Sequence, residues 1–457
     1  MHYQFEATLS HLDCKRHLPH PFTVPADSGQ VELQLHFTPA KVHDIQNMLT
    51  LTLFDAHGFR GAGHRGGNHH AVRITPAAAT PGYLAGALPA GEWIAQIDTH
   101  MIMPDEPCHY QLEISVTPAA AMQPADLQVQ PARPTPQLPQ RGPGWVRGDL
   151  HSHTNHSDAD HRTVTELLQK AREYKLDFIF LTDHNTTSPL DEMYAAATPD
   201  LLTLGGLELT TFWGHALCLG TREWVDWRVR AGTGEMNRIA TETYAKDQVF
   251  IIAHPRAIGD PMCTGCKWVY LEMMPGTSHL VEIWNTTWES DSYNEQALTL
   301  WYSWLNQGLR IVATAGTDTH GNEDYARKPG FCHVYVEEFS ERGILQALRA
   351  GHLYVSAGPQ LTLVAQDGNG NAVMMGDLLT GDVVKLTTTW RDCPADAQVR
   401  VITDGQLMLE WAATDAGQRD WTLIAEQVHW CVVEVRSASG EILAVTNPIF
   451  LRSPHVN

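Results

Sequence analysis

Apolar and polar residues alternate with a period of two in three early stretches: Val31, Leu33, Leu35 and Phe37; Leu49, Leu51 and Leu53; Leu112, Ile114 and Val116. Successive side chains of a strand point to opposite faces, so this pattern predicts half-buried antiparallel strands. Helical periodicity is scarce before residue 160, and residues 1–117 are therefore expected to form an N-terminal β-sandwich domain. Seven prolines, Pro118, Pro124, Pro131, Pro134, Pro136, Pro139 and Pro143, then remove backbone donors and fix φ. They predict an extended linker over residues 118–144.

Beyond the linker, short apolar runs alternate with helical patterns, as in an α/β fold with a mainly parallel sheet or barrel. Strands are expected at 178–182, 249–253, 281–284 and 311–315. The first helix starts at a capping box, Thr163 with Glu166, and carries Leu167, Leu168, Ala171 and Tyr174 on one face. Further helices are expected over 234–246, 291–307 and 341–350. Period-two alternation returns in Val384 and Leu386, in Val399 and Val401, and around Val432, Val433 and Val435. The expected organisation is an α/β domain over 145–358 followed by a β-rich C-terminal domain, itself sandwich-like, over 359–457.

Composition narrows the function. With 43% hydrophobic residues the 457-residue chain can bury real cores, while a formal charge of -21 and no Lys/Arg-rich stripe exclude binding of a nucleic-acid duplex through a basic face. No apolar run approaches membrane-spanning length and the first residues lack a leader pattern, so no membrane association and a cytoplasmic location are the expectations. Eight cysteines are scattered along the chain and are expected to be reduced thiols. Cys263 and Cys266 have CxxC spacing but no second pair to complete a zinc site, and read as a plain loop. His64, His69 and His70, in a Gly-rich stretch without neighbouring carboxylates, read as a solvated loop.

Candidate chemistry gathers where histidines and carboxylates fall near strand ends of the central region, in the segments GDLHSHTNHSD, LTDHN, GLELTTFWGH, IIAHP and GTDTH. Strand ends converge on one mouth in barrel-like α/β folds, so ligands distant in sequence can meet there. His151 and His153, two apart on an extended segment, share a side. With Asp158, His184, Glu208, His215, His254, Asp318 and His320 they make nine candidate ligands without a thiolate, a nitrogen and oxygen set suited to zinc, manganese or iron. Carboxylates bridge ions, so two or three divalent cations are expected. Asp149 and Asp183, beside ligands, read equally as carboxylates that orient imidazoles or as strand-end caps.

In these motifs and in their order, across roughly residues 146–358, the chain resembles the PHP (polymerase and histidinol phosphatase) family of metal-dependent phosphoesterases, in particular its subgroup with flanking β domains. The resemblance implies a distorted (β/α)7 barrel flanked by N- and C-terminal β-sandwich-like domains. It implies further that His151, His153, Glu208 and Asp318 surround one metal, that Glu208 bridges to a second held by His215 and His254, and that Asp158, His184 and His320 hold a third. The family varies at the position matched to His215.

The expected activity is hydrolysis of a small-molecule phosphate ester or related ester by a metal-bridging hydroxide, with Asp318, Glu208 and His254 as the catalytic candidates and Asp318 or a neighbouring histidine moving the proton. Arg256 is the candidate phosphate contact, and Trp213 reads as packing. The same site can attack a carbamate, carboxylic ester or amide, a reading that an apolar pocket would favour over a basic one. A third reading is a non-catalytic module that the metals only brace. A homo-oligomer is compatible with the sequence.

Overall fold

A computed structural model describes residues 1–128, 141–159 and 161–453. In the N-terminal region the period-two stretches are strands of two four-stranded antiparallel sheets. One runs in the order His2–Leu9, Cys108–Pro118, Ser28–Thr38, His69–Ile74; the other His17–Val24, Gly91–Met101, Met48–Asp55, Gly58–Gly63. Alternate residues such as Leu33, Leu35, Leu51, Trp93, Ile97 and Leu112 point inward from both sheets into one apolar cluster. The linker expectation falls partly on residues 129–140, which lie outside the described residues; before them the chain makes 3-10 turns at Ala119–Ala121 and Pro124–Leu127.

The central region is mixed α/β. Its strands run in the order Val312–Gly316, Leu280–Asn285, Val249–Ile252, Gly214–Leu219, Leu202–Thr211, Phe178–Leu181, Gly144–Asp149, Phe331–Val336, Leu353–Ser356. Two parallel runs are separated by the hairpin Leu202–Thr211 and Gly214–Leu219, which breaks the strand–helix alternation expected from the sequence. Its two-residue connection, Phe212 and Trp213, is too short for anything but an antiparallel turn. The far ends of the run meet through their loops, where Ser152 bridges Thr319 and Asp318 N donates to His151 O at 2.9 Å. Helix Val164–Glu173 starts at the expected capping box, and helices Glu235–Ala245, Asn294–Leu305 and Glu341–Ala350 lie within a few residues of expectation; helix Leu190–Ala196 was not anticipated. No helix of the described residues is long and apolar enough to cross a membrane.

The C-terminal region is β-rich and two-layered, and its first layer continues the central sheet. Leu353–Ser356 pairs with Ile442–Thr446, and Trp430–Arg436, Gln398–Thr403 and Gln406–Ala412 follow. A separate four-stranded sheet covers this layer, with Leu361, Leu363, Val384, Val399, Val433 and Ala444 between the two. Alternation reports which face a residue takes and not which strand the edge will pair with, so this continuity was invisible in the sequence.

The N-terminal region packs directly on the central one. Phe59 stacks on Trp224 at 4.5 Å, His17 stacks on Phe212 at 4.9 Å, and Thr186 donates to the Gly82 carbonyl at 2.8 Å. These contacts place it at the mouth where the candidate ligands lie.

Candidate metal centre

His151 and His153 follow the strand Gly144–Asp149, His184 follows Phe178–Leu181, His254 follows Val249–Ile252, and Asp318 and His320 follow Val312–Gly316. Glu208 is different: it lies inside Leu202–Thr211, bridged to His184, and reaches His215 on the antiparallel partner. Its carboxylate is the hub. The oxygens of Glu208 approach His151 Nε2 at 3.0 Å, His153 Nε2 at 3.3 Å, His184 Nδ1 at 3.0 Å, His215 Nδ1 at 3.0 Å and His254 Nε2 at 3.2 Å. Asp318 Oδ1 is 2.9 Å from His153 Nε2, and Asp158 reaches His184 Nε2 at 3.2 Å and His320 Nε2 at 3.1 Å.

Three groupings bring their ligand atoms within 4.8 Å of one another: His151, His153, Glu208 and Asp318; His153, Asp158, His184 and His320; and His184, Glu208 and His215. His254 joins the hub through its contact with Glu208. All nine sequence candidates are thus brought to one place, with His153, His184 and Glu208 shared between groupings.

Several polar atoms of these side chains are buried without a hydrogen-bond partner: His151 Nε2 and Glu208 Oε2 at the hub, and His153 Nδ1 and His215 Nε2 on the ring edges away from Glu208. His151 Nε2 and Glu208 Oε2 are only 3.0 Å apart, yet their alignment is not that of a hydrogen bond. Leaving a buried polar atom unpaired costs about 1–3 kcal/mol, so several together call for a common third partner. A nitrogen and oxygen donor set at this spacing fits divalent cations. Burial alone would raise the Glu208 carboxyl, but the imidazoles of His151, His184 and His215 hold it well below the ordinary carboxylate range.

In three of these histidines the ring nitrogen facing away from the centre is tied down. His151 Nδ1 meets Glu282 Oε1 at 3.1 Å, His254 Nδ1 meets the Cys266 carbonyl at 3.2 Å, and His320 Nδ1 meets the Asp318 carbonyl at 2.7 Å. An Nδ1–H donated outward leaves the Nε2 lone pair facing inward, as a ligand requires.

A cavity of about 450 Å³ opens over the cluster. It is bounded by Asp158, His184, Glu208, His215, His254, Asp318 and His320 on one side and by Ile45, Met48, His64, Pro261 and Met262 on the other, with neither Lys nor Arg among the described lining residues.

No protein family and no curated protein matches the chain. Several solved structures align with it, and two of these show what the chain is similar to. One is a two-domain protein from Bacteroides vulgatus said to contain a PHP-like metal-dependent phosphoesterase, 15% identical over 70% of this chain and 100% of that one, with a TM-score of 0.37. The other, from Bifidobacterium adolescentis, is described as a metal-dependent phosphoesterase and is 16% identical over 38% of this chain and 88% of that one, with a TM-score of 0.28. In both descriptions the activity is itself an inference. Likeness this distant leaves the chemistry to be read from the site.

Other sequence expectations meet mixed fates. Arg256 lines a neighbouring cavity with Lys15 and Lys267, separate from the one over the cluster. Trp213 packs under the Lys15 ammonium at 4.4 Å. Asp149 and Asp183 orient no imidazole: Asp149 accepts from Thr317 and Tyr325, Asp183 from Thr154 and Ser157, so both brace the ligand-bearing loops. Cys263 and Cys266 are joined as a disulfide, not free thiols in a plain loop, and both line the cavity. The His64 cluster also differs from a solvated loop. His64 and His70 are buried and only His69 is exposed, because the glycine-rich segment is covered by the turn at Gly82 and by the central region.

Glu282 was missed. It lies in the apolar strand Leu280–Asn285, 1% exposed, where it holds His151 and accepts from His254 N at 3.0 Å and Asn285 Nδ2 at 3.0 Å. A carboxylate flanked by Val281 and Ile283 was the available signal. Glu282→Gln is expected to weaken cation binding at the His151 grouping about 10- to 100-fold, the usual cost of losing such a partner, while the Asp158, His184 and His320 grouping keeps its affinity. Metal titration followed by elemental analysis checks this.

Proposed function

We propose that the chain is a metal-dependent hydrolase of small esters. The observation that carries the reading is the convergence of nine histidine and carboxylate side chains around Glu208, seven of them lining one cavity and several with buried polar atoms that lack a hydrogen-bond partner. When bound, two or three divalent ions, zinc, manganese or iron by donor type, would supply an acidified water and neutralise charge on the attacked group. His151, His153, Glu208 and Asp318 would hold one, His153, Asp158, His184 and His320 another, and Glu208 with His184, His215 and His254 a third.

The chain's own residues divide the remaining work. The Asp318 side chain is 20% exposed, its Oδ2 accepts from Asn285 Nδ2 at 3.3 Å, and it faces the cavity, so it is placed to accept a proton from the nucleophile. Glu208 and His254, nearly solvent-free, hold position. His320, 37% exposed at the rim, would hold its cation where water reaches the site.

The sequence expectation was a phosphate ester. The lining adds a preference: the bound ions would outweigh the three carboxylates that hold them, but no Lys or Arg among the described lining residues adds a contact for a dianion, and Ile45, Met48 and Met262 suit an apolar flank. A carboxylic ester, carbamate or amide meets this description, as does a diester better than a monoester. The metal-loaded protein is expected to turn over p-nitrophenyl acetate, an aryl carbamate or bis(p-nitrophenyl) phosphate faster than p-nitrophenyl phosphate. Preference for the monoester would reverse the substrate reading, and inactivity on the whole panel at full metal content would leave the metals a bracing role.

A further inference from the structure

We propose that His64, carried by the N-terminal region, is a substrate-contacting residue of the hydrolytic site, donating a hydrogen bond to an oxygen of the bound ester while Ile45 and Met48 pack its organic part. This rests on the hydrolase reading above and adds to it which part of the chain completes the pocket.

His64 directly follows the strand Gly58–Gly63, 8% exposed, with its ring 4.6 Å from that of His184. It lines the same cavity as Glu208 and Asp318. Its Nδ1 is buried with no partner, and no hydrogen bond joins its ring to any described residue. An imidazole beside a cavity with its polar atoms unused is costly to keep unless something in the cavity uses them.

The ring is held where it is by several independent supports. His100 packs edge-on against it at 4.9 Å and is anchored through Nε2 to Thr50 Oγ1 at 3.0 Å. A Cβ at Gly63 would run into the Tyr83 hydroxyl, which is bonded to the Leu51 carbonyl at 3.0 Å, so only glycine lets the strand approach so closely. The Gly82 turn is fastened to the segment after His184 by Gly82 N to Ser188 Oγ at 3.0 Å and Thr186 Oγ1 to Gly82 O at 2.8 Å. The N-terminal wall is therefore registered against a metal-ligand loop, which is how a contact residue is kept within the small tolerance that catalysis allows.

The test compares wild type, His64→Ala and His64→Gln, each loaded with zinc or manganese. Elemental analysis is expected to give equal cation content in all three. In His64→Ala, kcat/KM for p-nitrophenyl acetate should fall about tenfold, and inorganic phosphate, measured by calorimetry, should bind about tenfold more weakly, the size of one lost buried hydrogen bond. His64→Gln, which keeps a donor, should recover part of both. A loaded, folded His64→Ala equal to wild type in both readouts overturns the proposal; if that variant does not fold, a His64→Gln whose phosphate affinity and turnover both equal those of a folded, loaded His64→Leu overturns it instead. A wild type that takes up no cation, or binds neither probe once loaded, overturns the hydrolase reading itself and is recognised before any variant is measured.

Discussion

Glutamine in place of Glu208 is expected to lower kcat/KM on the order of a thousandfold and to cost the protein at least one bound cation. Five imidazoles, those of His151, His153, His184, His215 and His254, lie 3.0–3.3 Å from this one carboxylate. A bridging carboxylate offers one anionic oxygen to each of two cations; a carboxamide offers one weak neutral oxygen and turns an NH2 towards the other side. The size is unchanged and the position is fixed by the strand Leu202–Thr211, so the fold should persist and the loss should be one of charge and ligation. Elemental analysis and kcat/KM on the best substrate of the panel measure the two effects together. A variant with full cation content and activity within about threefold of wild type would remove Glu208 from the centre of the site.

Much of the candidate site was legible because its candidate ligands obey local rules. His151 and His153 are two apart on extended backbone, and Asp318 and His320 repeat the spacing. Helix Val164–Glu173 was legible for the same reason, since Thr163 and Glu166 satisfy each other's backbone donors within four residues. What escaped was set by contacts between distant segments. Glu282 sits 131 residues from His151, and inside an apolar strand its charge looks like one more alternation. His64 looked solvated because nothing near it in sequence reveals that the central region covers it. The run of parallel strands expected of a barrel missed the hairpin at Phe212 and Trp213, since both of its strands are buried and lack the alternation that marks a half-buried pair.

Arg162 is the residue with the greatest reach among those the sequence did not single out, and Arg162→Met is expected to lower the melting temperature by roughly 10 °C and to strip the metals. Its side chain is buried, at 2% exposure, between the two loops that carry the paired ligands. Nη1 donates to Thr319 Oγ1 at 2.8 Å and to the Gly321 carbonyl at 3.0 Å, while Nη2 donates to the carbonyls of His153 and Thr319. One guanidinium thus fixes the backbone at His153 against the backbone between Asp318 and His320. Methionine fills the space but removes four hydrogen bonds, leaving the His153 carbonyl without a donor and the Thr319 and Gly321 carbonyls with only their bonds from within the ligand loops. Hydrogen bonds to a charged donor are worth about 1.5–3 kcal/mol each, and relief from burying the guanidinium offsets part of that, so a net loss of about 3–5 kcal/mol follows. Arg162→Lys should rescue little, because an ammonium on a single stem cannot reproduce the planar fork that spans both loops. Thermal melting with and without added zinc, paired with elemental analysis, separates the two consequences. Wild-type melting and full cation content in Arg162→Met would mean that the ligand loops are held together by the metals alone.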